Sequence, residues 1–307
     1  MRDIKKPSLN AQKPVWLFLG VGYVAKALRA HLPKNAQVYG TSRDPEKWPE
    51  DLKRDITPLT FKGEITQDLI AILKRANYIV ISIPPKTEGD PFLNSLTKDI
   101  TALAPHVQWA AYLSATSVYG DRKGQWVFED ERLYPVNLRG RYRIEAELAW
   151  LETGLNMHVF RLAGIYGPTI YGQSRNPFKR LQSAKARAII KDNHVVNRIY
   201  VDDIVSALMK SIERPDAGQV YNLADGHPAP PQDVLDYAAQ CIHVAPPPRL
   251  DWHTANISEM ARSFYRETKR VNSDRARHLL HWQPQYETYK SGLDEIVSRD
   301  FSLKKPD

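Results

Sequence analysis

The sequence predicts an α/β fold, a doubly wound parallel sheet of the Rossmann type with a smaller C-terminal substrate lobe. Three observations carry the prediction. Short apolar runs alternate with helical patterns, as crossover units in a parallel sheet require. Several runs are apolar almost throughout, as expected of strands covered on both faces. The first, Val15–Leu19, ends in Gly20-Val21-Gly22-Tyr23-Val24-Ala25 and opens a helical pattern through His31.

A strand, a glycine turn and a helix in that order can receive a pyrophosphate. The first glycine allows the turn, the second lets the backbone approach the phosphates, and the helix amides face the anion. Gly20, Gly22, Tyr23 and Val24 are the expected contacts. About 20 residues on, the chain reads Val38-Tyr39-Gly40-Thr41-Ser42-Arg43. An acidic residue there would accept the ribose 2′-hydroxyl of NAD. Ser42 and Arg43 suit a 2′-phosphate, so NADP is expected over NAD. The competing reading is an arginine solvated at a strand end, and the neighbouring Asp44 keeps NAD open.

The remaining strands are expected at Gln37–Tyr39, Pro58–Phe61, Tyr78–Ile83, Trp109–Leu113, Met157–Arg161 and Gln219–Leu223. Helical patterns fall between them at Thr66–Lys74, Phe92–Leu103, Leu138–Leu151 and Asp203–Ile212. Ligands of such sheets bind beyond the carboxyl ends of the strands. Ser82, Ile83, Pro84, Ser114 and Ala163 sit at those ends and join the expected cofactor contacts. Turn signals at Tyr166-Gly167-Pro168 and Tyr171-Gly172 break the order. A basic helix is expected next, and Arg198–Asp203 is expected to return to the sheet. The domains expected are 14–165 with 197–224 for the dinucleotide, and 166–196 with 225–307 as the second lobe.

Composition bounds the class. Hydrophobic residues make up 42% and charged residues 25%, ordinary for a soluble globular protein. No apolar run is long enough to span a bilayer. Residues 1–13 are polar and basic without a secretory core segment, and read as a disordered tail. Cys241 is the one cysteine, so no disulfide is expected, and a reducing, cytoplasmic setting fits. No histidine pair stands at metal spacing, and no metal site is expected. The net charge of +8 is by itself a poor guide to nucleic acid, which is not an expected partner. The charge gathers between Arg175 and Lys191 and between Arg262 and Arg277. Arg175, Arg180 and Arg270 are the expected contacts of an anionic substrate, with solvated helix faces as the competing reading.

Six segments together carry a resemblance. They are Gly20–Ala25, Leu113-Ser114-Ala115-Thr116-Ser117-Val118-Tyr119-Gly120, Arg161-Leu162-Ala163-Gly164-Ile165-Tyr166-Gly167-Pro168, Arg198-Ile199-Tyr200-Val201-Asp202-Asp203, Tyr221-Asn222-Leu223-Ala224-Asp225 and Lys269-Arg270-Val271. Over about Val15 to Leu293 the chain resembles the extended and atypical branch of the short-chain dehydrogenase/reductase superfamily, with its nucleotide-sugar epimerases and dehydratases. The resemblance implies an NAD(P)-dependent oxidoreductase or epimerase-like activity on an anionic substrate such as a nucleotide sugar. It also allows a homodimer through Phe92–Leu103 and Leu138–Leu151.

The departures are equally informative. The family uses a serine or threonine, a tyrosine, and a lysine four residues after the tyrosine. This chain has Ala115, Arg139 and Arg143 at those positions. Arginine stays protonated and cannot pass a proton, but it can stabilise negative charge or grip an anion. Candidate catalytic residues are therefore Arg139, Arg143, Thr116 and Tyr142. Tyr119 and Tyr166 are expected at the cleft mouth. The resemblance places Glu129 and Asp130 where related dehydratases and epimerases carry a solvent-side acid loop, and a plain solvated loop explains them as well. The alternative is a catalytically inactive NADP-binding sensor or scaffold.

Overall fold

The computed structural model describes residues 13–301. The tail expected over 1–13 lies outside the described residues except for Lys13. Seven strands form one sheet: β1 (Val15–Leu19), β2 (Gln37–Ser42), β3 (Thr57–Thr60), β4 (Tyr78–Ile81), β5 (Trp109–Ala115), β6 (Met157–Leu162) and β7 (Val220–Leu223). Their order is β7-β6-β5-β4-β1-β2-β3, and every pairing is parallel. The order reverses between β1 and β4, the crevice where sheets of this kind take ligands.

All five residues of β1 and all six of β6 are buried. Trp16, Phe18 and Val80 face one layer, while Leu17, Leu19 and Ile81 face the other. This is the period-two alternation of a strand covered on both sides. Helices Tyr23–Arg29 and Val201–Glu213 pack on one face. Phe92 and Trp150 pack into the other core cluster, where their rings stack at 6.1 Å.

Three expectations are corrected. Phe92–Leu103 is not one helix: a short turn spans Leu93–Ser95 and a single helical turn spans Ile100–Leu103. Buried Asp90 diverts the chain by accepting from the amides of Phe92 (2.9 Å) and Leu93 (3.0 Å), while the Trp150 indole holds its other oxygen at 2.9 Å. The basic helix shrinks to Phe178–Gln182. Ala184 turns left-handed at φ 52°, and Ala188–Ile190 then pairs as a strand with Arg249–Asp251. Arg198–Tyr200 does not return to the main sheet. It pairs with Gly164–Ile170, which pairs in turn with Gln173–Arg175.

The C-terminal segment is tied down by a buried carboxylate. Asp203 accepts from the amides of Gln285 (2.6 Å) and Tyr286 (3.1 Å), and burial raises its pKa to about 6. The helix Tyr289–Phe301 then lies along Gly164–Ile170 and Pro231–Cys241. Cys241, at the end of that last helix, is half-buried.

Asp225 gives a pH prediction. It is buried beside Arg198, His227 and Asp203, and burial raises its pKa from 3.8 to about 7. Folding therefore favours its protonated form, so its contribution is full below pH 4 and is lost as pH rises through 7. The Asp225→Asn variant is expected to lose this slope. It should exceed the parent at pH 8 by at most about 4 kcal/mol, with the gap closing toward pH 4. Parallel denaturation profiles for the two proteins over that range would refute this.

Candidate functional site

The glycine turn closes on β2 and β4. Gly20 has φ 90°, the left-handed region that favours glycine. A Cβ there would come within 3.0 Å of Ser82 Oγ and 3.1 Å of the Ile83 amide nitrogen. The Gly20 amide donates to Thr41 Oγ1 at 2.8 Å, and Ser82 donates to the Gly20 carbonyl at 2.8 Å. Gly22 is more open, since a Cβ there would meet only Ser82 Oγ at 3.7 Å. The first turn of Tyr23–Arg29 carries no acidic residue. These features fit an anionic group approaching at Gly22. Tyr23 and Val24 are buried, so only their backbone would be open to such a group. The Tyr23 hydroxyl donates to the Pro168 carbonyl at 2.6 Å.

At the end of β2, Ser42 Oγ accepts from the Asp44 amide at 3.2 Å, and Arg43 is exposed. The Asp44 carboxylate pairs with Lys47 at 3.3 Å. Beyond β4, Ile83 is half-buried and Pro84 exposed.

The helix Leu138–Leu151 starts at Asn137, whose Oδ1 accepts from the Gly140 amide at 2.9 Å. Of the four catalytic candidates, Thr116 and Arg139 line one cavity. Tyr142 and Arg143 do not line it. Arg143 donates instead to the Leu113 carbonyl at 3.0 Å, a structural bond between helix and strand. Among the cofactor candidates, Ala163 lines the cavity, but Ser114 is buried and gives its hydroxyl to Glu147.

Glu147 and Arg161 organise a buried network next to these strand ends. They form a buried ion pair at 2.9 Å. Arg161 also donates to the Tyr119 hydroxyl (2.9 Å) and the Glu129 carbonyl (3.0 Å), and Tyr119 donates to Asn222 Oδ1 at 2.7 Å. Glu129 Oε1 accepts from the Asn222 amide at 2.9 Å, with Arg275 at 3.8 Å from its other oxygen. These contacts correct three expectations. Tyr119 is not at a cleft mouth, and burial pushes its hydroxyl up to about 12. Tyr166 is buried, and its hydroxyl donates to the Thr288 carbonyl at 3.3 Å. Glu129 is not solvated, and burial raises its pKa. Asp130, beside it, is exposed and pairs with Arg275.

The cavity itself has a volume of about 890 Å³ and opens beyond the carboxyl ends of β5 and β6. Its polar end combines Thr116, Ser117, Asn137 and Arg139 with Glu267 and Lys269. Buried Lys269 donates to Glu267 (2.7 Å) and the Gly120 carbonyl (2.9 Å), leaving one of its three N–H groups. Asn137 Nδ2 approaches Glu267 at 3.4 Å. Deeper in stands His194, pulled down to about 4 by burial and by the positive charges of Lys191, Arg198 and Lys269. Its Nδ1 is buried without a hydrogen-bond partner in the structure. It is a neutral ring in an electropositive site.

Sequence reasoning missed His194, Asn197, Tyr265, Glu267 and the role of Lys269. Its signal for the last was the Lys269-Arg270-Val271 segment. The three expected substrate arginines are not brought together. Arg175 lies over the Tyr23 ring at 5.6 Å, Arg270 donates to the Gly124 carbonyl, and Arg180 is exposed on its short helix. None lines the cavity. Among the described residues no group of three or more histidine, cysteine, aspartate or glutamate side chains could hold a metal, and no helix is long and apolar enough to cross a membrane.

No family model matches the chain. A functionally unknown conserved protein from Silicibacter pomeroyi is 41% identical and superposes with a TM-score of 0.86 over 94% of this chain and 99% of its own. Protein YeeZ of Escherichia coli is 32% identical over 171 residues, 53% of this chain. That match spans 58% of YeeZ, a little over half the length of this curated relative. A dTDP-glucose 4,6-dehydratase from Bacillus anthracis, solved in complex with NAD, has a TM-score of 0.74 at 16% identity over 94% of this chain and 96% of its own. At that identity the likeness speaks for the fold. With 41% identity across nearly all of both chains, the protein belongs to one family with the Silicibacter pomeroyi protein, and it shares its fold with the dTDP-glucose 4,6-dehydratase.

Proposed function

We propose that the protein is a nicotinamide-dinucleotide-dependent enzyme of the reductase or epimerase/dehydratase kind. It binds NADP and acts on a small anionic molecule without the tyrosine–lysine relay. The observation that carries this reading is the glycine turn at the switch point, on the same sheet edge as an electropositive cavity. Gly20, Gly22, Tyr23 and Val24 would hold the pyrophosphate, Ser42 and Arg43 the 2′-phosphate, and Thr116 and Ala163 the nicotinamide end. The pairing of Asp44 with Lys47 supports NADP over NAD, because it draws away the carboxylate that would take a ribose hydroxyl.

When bound, the cofactor supplies hydride transfer. The chain's own groups bind, orient and hold protons. Arg139 can stabilise developing negative charge at the cavity rim but passes no proton. The remaining Lys269 N–H, held in place by Glu267 and Gly120, is a donor for a substrate oxygen. The Thr116 hydroxyl is a second donor in the same cavity. A non-catalytic NADP sensor is the second reading, favoured by Ala115 and by the commitment of Arg143 to the Leu113 carbonyl. A homodimer through Leu138–Leu151 is supported by the exposed Leu148, and sedimentation of the purified chain tests it.

Calorimetric titration with NADPH, NADP and NADH tests the cofactor. NADPH is expected to bind, and Arg43→Ala to weaken it about 10- to 100-fold, as loss of a charged hydrogen bond does. NADH affinity should stay unchanged. Binding of none of the three would overturn the reading. Turnover of any substrate would remove the sensor alternative.

A further inference from the structure

Accepting that the cavity holds the substrate, its walls narrow the ligand: we propose that the occupant is a carboxylate on an aromatic body and not a nucleotide sugar. A sugar brings several hydroxyl groups, and each one buried without a partner costs free energy. Much of the lining offers no side-chain partner. Leu138, Leu162, Ala163, Val195, Val196, Pro231 and Phe264 contribute no polar side-chain atom. Four backbone donors of this lining are spent. The Ala163 amide donates to the Leu223 carbonyl (3.0 Å), Gly164 to Asn197 (3.0 Å), Val196 to Ala229 (3.0 Å) and Val195 to Thr268 Oγ1 (3.3 Å). The Asn197 side chain is also committed, donating to the Lys269 carbonyl and accepting from the Val271 amide, both at 2.8 Å.

A diphosphate would ask for several guanidinium groups facing the ligand. Arg175 and Arg270 are engaged elsewhere, and Arg198 spends Nη1 on the Val196 (3.0 Å) and Ala229 (3.2 Å) carbonyls. The polar end retains the third Lys269 N–H, the Thr116 hydroxyl, the Arg139 rim and the neutral His194 ring, with Glu267 beside them opposing excess negative charge. That supply matches one carboxylate.

The body of the ligand meets aromatic rings. Phe264 lines the cavity yet is 69% exposed. Its segment is braced from below: Tyr265 lies 4.9 Å from the His194 ring and 5.4 Å from Trp252, which Lys191 and Arg262 cover at 5.1 and 5.0 Å. A flat ring laid against Phe264 would bury its exposed face and gain an aromatic contact.

The test is calorimetry on the full chain with 3-phenylpropionate, 3-phenylpropanol and UDP-glucose, each with and without NADPH. Phenylpropionate is expected to bind, the neutral alcohol about tenfold more weakly, and UDP-glucose more weakly than phenylpropionate. Phe264→Ala should cost phenylpropionate about tenfold with no change in melting temperature, since the ring is exposed. Lys269→Met should erase the preference for the acid over the alcohol. Tighter binding of UDP-glucose, or an unchanged affinity in Phe264→Ala, overturns the proposal. NADPH binding without any phenylpropionate binding refutes the aromatic carboxylate alone, whereas failure of NADPH to bind strikes the cofactor reading.

Discussion

Glu147→Ala is expected to destabilise the protein by about 3–5 kcal/mol, the cost of leaving a buried charge without its partner. Glu147 is 2% exposed, and its partner Arg161 lies at 2.9 Å with no solvent to take its place. The loss spreads, because Ser114 also donates to Glu147 and Arg161 holds Tyr119 and the Glu129 carbonyl. Urea denaturation followed by circular dichroism measures it as a lowered midpoint. The Glu147→Leu/Arg161→Met double variant should cost less than the sum of the two single changes, since removing both charges leaves none stranded. A single-variant loss below about 1 kcal/mol, the range of a surface pair, would mean that the pair is not buried in solution.

Gly120→Ala is the second large effect, expected at about 3–5 kcal/mol from strain and overlap together. Gly120 has φ 69°, and a Cβ there would come within 1.8 Å of the Tyr134 carbonyl oxygen. That oxygen belongs to backbone and cannot swing aside, because the Tyr134 amide is pinned to the Val118 carbonyl at 3.1 Å. Relief requires moving the segment that leads to Asn137 and Arg139, and the Gly120 carbonyl is also an acceptor for Lys269. The measurable outcome is a fall in melting temperature together with weaker binding of phenylpropionate by the folded fraction. A variant with parental stability would show that the 134–139 segment yields freely.

Much of the fold was legible because it is local. The apolar runs of β1, β4, β5 and β6 and the helix Leu138–Leu151 follow from hydrophobic periodicity, and the strand–glycine turn–helix junction from residue type. The Phe92–Leu103 pattern misled because one buried carboxylate, Asp90, claimed the amides that a helix would have started from.

The candidate site was legible only in part, for the same reason. Sequence by itself determined the doubly wound sheet, the turn at Gly20 and Gly22, and the presence of alanine at 115 and arginine at 139 and 143. Tertiary structure alone decided which charges face the cavity. Arg143 turned to a carbonyl, Arg161 and Glu147 neutralised each other, and Lys269 arrived from 149 residues beyond Gly120. A charge's partner is set by distance in space, and spacing along a chain predicts that distance only within a helix or strand.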